Sequence, residues 1–270
     1  MRPPSTRDTG RVREEFSCPA CGAQLAKDRL ERRTTSQRTF AGDFIERIEF
    51  RPVRIAWRAG SSTGQKLVDE HDQAVLQKVG RQVVSGFPPA ELPLGDMVHG
   101  TRLGPKGFKR AHHLWPDRAL VSLAVLWSWA KEESHPATAL ALRFWIEQAF
   151  WGLSWMNRFK GFPFGKLGGS QVNQQMSGVY YVPALHAECS IRYNLVGSQP
   201  SRGKRESLVK LWSEGMWRPG SVAITTGSST SLPIPEASVD YVFVDPPFGQ
   251  NIPYSDLALV VEQGGVRNPV

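Results

Sequence analysis

The sequence predicts an α/β protein whose sheet lies at the C-terminal end, behind a mixed, mainly helical middle. Three observations carry this expectation. Asp240-Tyr241-Val242-Phe243-Val244 is almost wholly apolar, as a parallel strand covered on both faces must be. Leu120, Leu123, Trp127 and Ala130 recur at helical spacing, and Leu142, Ile146, Phe150 and Leu153 do the same. Cys18-Pro19-Ala20-Cys21-Gly22 has the turn chemistry of a metal knuckle, with the glycine permitting a tight backbone.

In chain order, residues 1–15 are polar and carry Arg2, Arg7, Arg11 and Arg13, so they read as a disordered lead-in or linker. Residues 16–60 open on the cysteine pair. A basic helical patch follows at residues 27–33, and then a strand over 48–57, where Val53, Ile55 and Trp57 alternate. Residues 61–206 form the helical region. It begins with a helix over 70–84, and residues 86–118, rich in Gly, Pro and His, read as an extended loop. The two amphipathic helices come next, and their Trp-rich faces read first as core. A glycine-rich loop over 161–178 holds Asn173, Gln174 and Gln175, candidates for base-edge contacts. A short strand over 179–182 and a polar linker over 197–206 complete the region. Residues 207–270 hold two strands, 222–226 and 240–244, separated by a turn of small polar residues and proline. No internal repeat is present.

Composition bounds the function classes. The chain has 270 residues, 33 Lys and Arg against 25 Asp and Glu, a net charge of +8, and 40% hydrophobic residues. That much apolar material excludes global disorder. No run of 18 uncharged apolar residues exists, because residues 119–130 are closed by Lys131, so a membrane span is not expected. The N-terminus lacks the apolar core of a secretory signal, and three cysteines make no disulfide scaffold. A reducing cytoplasm is the expected location. The basic balance favours an acidic partner, of which nucleic acid is the commonest, although a solvated basic surface explains it as well.

Chemistry concentrates at Asp245-Pro246-Pro247-Phe248. Ligands of open α/β sheets sit at the carboxyl ends of the strands, which is where this tetrapeptide falls. An acid there is exposed to the cleft and rigidly held. Two prolines fix φ and remove N–H donors, leaving carbonyl oxygens free to accept. An aromatic ring at the next position is placed to stack on a planar group. Together they make a clamp for an exocyclic amine.

This tetrapeptide resembles motif IV of the S-adenosylmethionine-dependent DNA amino-methyltransferases, which modify adenine N6 or cytosine N4. The longer string from Val239 to Gly249, with Asn251-Ile252 and Tyr254-Ser255-Asp256-Leu257, is similar to large DNA methylases that carry a zinc-ribbon insertion. Further likenesses occur at Phe16 to Gly22, Leu30-Glu31-Arg32, Ala111-His112-His113-Leu114, Ser154 to Arg158 and Gly178 to Pro183. The resemblance implies a partial Rossmann-like methyltransferase sheet over 207–270, a helical insertion or target-recognition region over 61–206, and a zinc-ribbon-like segment over 16–60. It implies S-adenosylmethionine as cofactor, DNA as partner, and a restriction or defence system as a further partner. Asp245, Pro246, Pro247 and Phe248 would be the catalytic residues. Asp245 and the Pro246 carbonyl would orient the amine for in-line attack on the methyl sulfonium, while Phe248 stacks on the extruded base.

The departures from that pattern matter equally. The family binds its methyl donor with a glycine-rich Phe-x-Gly-x-Gly loop, and no Gly-x-Gly occurs in this chain. The expectation is therefore a fragment that does not methylate alone. The alternative is a non-catalytic nucleic-acid-binding module with a degenerate methyltransferase end. Zinc needs four ligands where Cys18 and Cys21 offer two. A second cysteine pair outside the chain, the His186/Cys189 pair within it, or no metal at all are the readings left open. Lys109, Arg110, His112 and His113 are candidates for phosphate contact or closure over the base, with helix capping near Asp117 as the structural alternative. Lys27, Arg29, Arg32 and Arg33 are further candidates for the DNA backbone.

Overall fold

The protein was analysed as a computed structural model. It describes residues 5–6, 11–12, 15–26, 29–39, 42–80, 90–92, 95, 98, 103–161, 164–165, 171, 180–197, 204–213, 223, 225, 227–228, 230–246 and 260. Among these it is a mixed α/β protein with small antiparallel sheets and six α-helices.

Four two-stranded hairpins form the N-terminal part: β1 (Ser5–Thr6) with β2 (Arg11–Val12), β3 (Glu15–Ser17) with β4 (Gln24–Ala26), β5 (Thr34–Arg38) with β6 (Phe44–Ile48), and β7 (Arg54–Ala59) with β8 (Ser62–Leu67). All are antiparallel. In β7–β8 the pairing of Ala59 with Ser62 leaves a two-residue loop, and Gly60 takes it at φ +61°. Such loops need a residue tolerant of positive φ, which glycine supplies. The strand expected over 48–57 is thus two strand ends with a connection between them. Ile55 and Trp57 do share the β7–β8 ladder, and the carbonyl of Val53, one residue before β7, accepts from the Val68 N–H at 3.1 Å. Of the helical patch expected over 27–33, residue 29 lies in a 3-10 turn and residues 30–33 form neither helix nor strand, while 27–28 lie outside the described residues.

The helices are α1 (Glu70–Gly80), α2 (Asp117–Glu132), α3 (Pro136–Glu147), α4 (Phe150–Leu153), α5 (Ile191–Val196) and α6 (Lys204–Ser213). Helix α3 starts where Pro136 occupies the first turn and His135 Nδ1 accepts from the Thr138 N–H at 3.3 Å. Proline lacks the N–H that this position could not use, and the ring nitrogen satisfies one of the remaining orphans. The linker expected over 197–206 is shorter than predicted, because α6 begins at Lys204.

The core lies between α2, α3, α4 and the turns that precede them. Trp115, Phe108, Leu114, Leu123, Phe150, Leu153 and Met156 are buried there. Leu120, Leu123 and Ala130 face it as the spacing predicted, and so do Ile146, Phe150 and Leu153. Trp115 is the central group. Its ring meets Phe150 edge-on at 6.0 Å, and its Nε1 donates to the Phe150 carbonyl at 2.8 Å. A buried indole needs such an acceptor, because an unpaired N–H in the core costs about 1–3 kcal/mol.

A second knot holds the segments after α4. Asn157, fully buried, donates through Nδ2 to the carbonyls of Gln171 and Ala187, each at 2.7 Å. Its own carbonyl accepts from the Ala187 N–H at 3.1 Å. Beside it Trp155 stacks on Phe50 with centroids 4.4 Å apart, and the Arg47 guanidinium lies 5.1 Å from the same indole. The Ser154 to Arg158 string therefore does architectural work in this structure.

The last part differs from expectation. Residues 240–244 form no strand, and no β-ladder joins them to any described residue. Tyr241, Val242, Phe243 and Val244 are 68–81% exposed. A strand that is apolar on both faces needs neighbours at both edges and cover on both sides, and the described residues supply neither. Residues 223 and 225 of the strand expected over 222–226 are likewise without ladder partners, and the rest of that span lies outside the described residues. The short strand expected over 179–182 is not formed at 180–182, where Tyr180 is buried with φ +65°. No helix of the described residues is long and apolar enough to cross a membrane.

Candidate functional site

Three places hold the candidate residues. The first is the end of the apolar run at 240–244, where Asp245 and Pro246 are exposed to solvent. Pro247 and Phe248 lie outside the described residues, as do Asn173, Gln174, Gln175 and Lys27.

The second is the cysteine hairpin. Strands β3 and β4 pair Glu15 with Ala26, Phe16 with Leu25 and Ser17 with Gln24, which leaves residues 18–23 as the connecting turn. Within it the Cys18 N–H donates to the Ala23 carbonyl and the Gly22 N–H to the Cys18 carbonyl, both at 2.8 Å. Gly22 adopts φ +75°, the conformation a side chain disfavours. The backbone N–H groups of Ala20 and Cys21 donate to the Cys18 sulfur and hold its thiol below the usual range, with the Cys21 thiol beside it. Thiolate is the form that binds zinc, and donors aimed at sulfur are the support such a ligand needs. Both cysteines are free. The turn sets two free thiols three positions apart on a hydrogen-bonded backbone.

Further ligand residues do not gather at this turn among the described residues. No third His, Cys, Asp or Glu atom joins the two sulfurs within 4.8 Å. Cys189 is 8% exposed, and its thiol is pushed up to about 12, chiefly by burial and then by the neighbouring Glu188. His186 is held down to about 4 by burial, and its Nδ1 lies 2.9 Å from the Asn157 carbonyl. The His186/Cys189 pair belongs to the Asn157 knot and does not complete the knuckle.

The third place is where the β5–β6 hairpin meets the turn over residues 109–114. Asp43, His112 and His113 bring their ligand atoms within 4.8 Å of one another. Close backbone approach makes this contact possible. A Cβ on Gly107 would lie 2.0 Å from the Glu46 carbonyl oxygen, so only glycine lets β6 settle there. The two histidines, candidates for phosphate contact or closure over the base, are interior, with His112 4% and His113 2% exposed. The expectation that these two rings face a phosphate is corrected accordingly. Burial alone removes them from a flat nucleic-acid surface. Of the candidate cations, Lys109 stays exposed, while Arg110 is half-buried and pairs with Asp43 at 3.0 Å.

This triad is poorly suited to a divalent cation. His113 Nδ1 accepts from the backbone N–H groups of Lys109 and Arg110 at 3.1 and 3.2 Å, so the ring proton sits on Nε2. A ligating histidine does the reverse, donating its second N–H outward and offering the other lone pair to the metal. Arg110 already neutralises Asp43. Desolvation holds the His113 ring down to about 3, aided by His112 and the nearby arginines, and it lowers His112 in the same way. His113 caps the 109–114 turn itself, in place of the helix near Asp117.

Sequence reasoning missed Asp43 and the buried Arg47. Only the paired hairpin brings Asp43 beside the 109–114 turn, where it pairs with Arg110, 67 positions further along the chain. No protein-family model, curated protein or solved structure matches the chain.

Proposed function

We propose that the chain is part of an S-adenosylmethionine-dependent DNA amino-methyltransferase acting on adenine N6 or cytosine N4. The observation that carries this reading is the string from Val239 to Phe248: an apolar run ending in Asp245-Pro246-Pro247-Phe248. The exposure of residues 241–246 supports it, because an acid and a carbonyl at the tip of an uncovered apolar run are what an incomplete active-site sheet leaves behind. The finer fold assignment, a partial Rossmann-like sheet, is part of the same proposal.

In this mechanism the target base leaves the duplex at a cost of a few kcal/mol and stacks on Phe248. The Asp245 carboxylate and the Pro246 carbonyl accept hydrogen bonds from the exocyclic N–H groups. That orients the nitrogen lone pair towards the methyl carbon. Asp245 would hold the amine for in-line attack and take up its proton, directly or through solvent. S-adenosylmethionine supplies the methyl group when bound. With no Gly-x-Gly in the chain, the donor loop has to come from another segment or polypeptide. Cys18 and Cys21 would hold zinc as thiolates, and the exposed Lys109, Arg29, Arg32 and Arg33 would contact phosphates in a cytoplasmic setting.

The test is transfer of tritiated methyl to unmodified genomic DNA, with the chain alone and with a donor-binding segment joined to it. Transfer only in the joined form is the expected result, and no transfer in either form counts against the proposal. The second reading, a nucleic-acid-binding module without catalysis, is favoured by one observation: the knuckle turn is formed in the chain as it stands. It predicts salt-dependent DNA binding with no methyl transfer in either form.

A further inference from the structure

The geometry of the cysteine hairpin points to a shared metal: we propose that Cys18 and Cys21 of two copies of this chain ligate one zinc ion and join the chains in a symmetric dimer. This rests on the zinc reading of the knuckle given above and adds the identity of the missing ligands. A closed structural zinc site is tetrahedral and needs four ligands. One hairpin supplies two sulfurs, and no third ligand atom lies within 4.8 Å of them among the described residues. The only other cysteine is buried against Asn157, whose Nδ2 is 3.7 Å from its sulfur.

The surface around the knuckle suits a second copy. Cys21 is exposed and Cys18 half-buried, and both are free. The run Ser17-Cys18-Pro19-Ala20-Cys21-Gly22-Ala23 has no charge and no large side chain. Two such tips approach without like-charge repulsion and without a bulky residue between them. An isologous contact requires a patch complementary to itself, and a two-sulfur half-site meets that condition about a two-fold axis through the metal. Each sulfur would sit about 2.3 Å from zinc, which brings the two turns into direct contact. Phe16 at the base of the hairpin is buried. Each thiol loses its proton to solvent as zinc binds.

The experiment uses the full chain, purified under reducing conditions without chelator. Zinc per chain is measured by elemental analysis and mass by sedimentation equilibrium. One zinc per two chains in a dimer is expected, with EDTA yielding zinc-free monomers and re-added zinc restoring the dimer. The Cys18→Ser, Cys21→Ser double variant should be a zinc-free monomer with an unchanged circular dichroism spectrum. One zinc per chain in a monomer would overturn the sharing and leave the zinc reading standing. Absence of zinc would overturn both. A dimer that survives EDTA, or that only a stronger reductant dissolves, would also overturn it. None of these outcomes bears on methyl transfer at Asp245.

Discussion

The helical centre and the stretch at 239–246 are similarly apolar, yet one is buried and the other is bare. Leu123, Phe150, Leu153 and Trp115 are buried because helical spacing gathers apolar groups on one face, and short connections bring such faces together. Tyr241 to Val244 are consecutive, so an extended backbone sends them to opposite sides. Such a run is satisfied only inside a sheet with layers above and below. The difference teaches that apolarity predicts burial only where the chain supplies the complementary surface. A bare apolar run ending in an acid is a request for neighbours.

The largest effect that sharpens this contrast is expected at Trp115. Trp115→Ala should cost about 3–5 kcal/mol, by loss of a fully buried indole and its hydrogen bond to Phe150. Urea unfolding followed by circular dichroism measures it, and a cost below about 1 kcal/mol would mean that the helical centre is not the core.

Acid should act on the same region. His113 is held from 6.5 down to about 3 and His186 from 6.5 down to about 4, both chiefly by burial. The folded state therefore binds protons more weakly than the unfolded chain, so acid favours unfolding. Stability is complete above about pH 7 and is lost as pH falls through 6.5 towards those folded values. At pH 5 each ring contributes a loss on the order of 2 kcal/mol. Urea midpoints at pH 8 and pH 5 test this, and equal midpoints would contradict it.

Asn157→Ala removes two donors and strands the buried carbonyls of Gln171 and Ala187, at a cost of about 2 kcal/mol. Amide exchange near residues 186–189 should speed up in parallel. The smallest effect belongs to the bare run. Phe243→Ser should change the stability of the isolated chain by no more than about 0.5 kcal/mol, since the ring is 81% exposed. A loss of 2 kcal/mol there would erase the contrast between the two regions.

Helix faces were legible in the sequence because α2 and α3 pack through their own periodic residues. The knuckle turn was legible because Gly22 and the cysteine spacing act within six residues. The placement of His112 and His113 was not. Their burial depends on Gly107 admitting the β6 backbone, a contact between segments about 60 residues apart in sequence (107 against 46) with no local pattern. Residues 240–244 read as a strand in the sequence but form none among the described residues, because apolarity alone does not state whether partners and cover exist.

The most direct test of the account is methyl transfer by Asp245→Ala with the donor-binding segment joined to the chain. Asp245 would touch only the amine being methylated, so its contact matters mostly in the transition state. Tritium transfer should fall on the order of 100-fold in kcat, with DNA and donor affinity nearly unchanged. Near-normal turnover would mean that Asp245-Pro246-Pro247-Phe248 is only a turn after an apolar run, and the methyltransferase reading would fail at its most specific point.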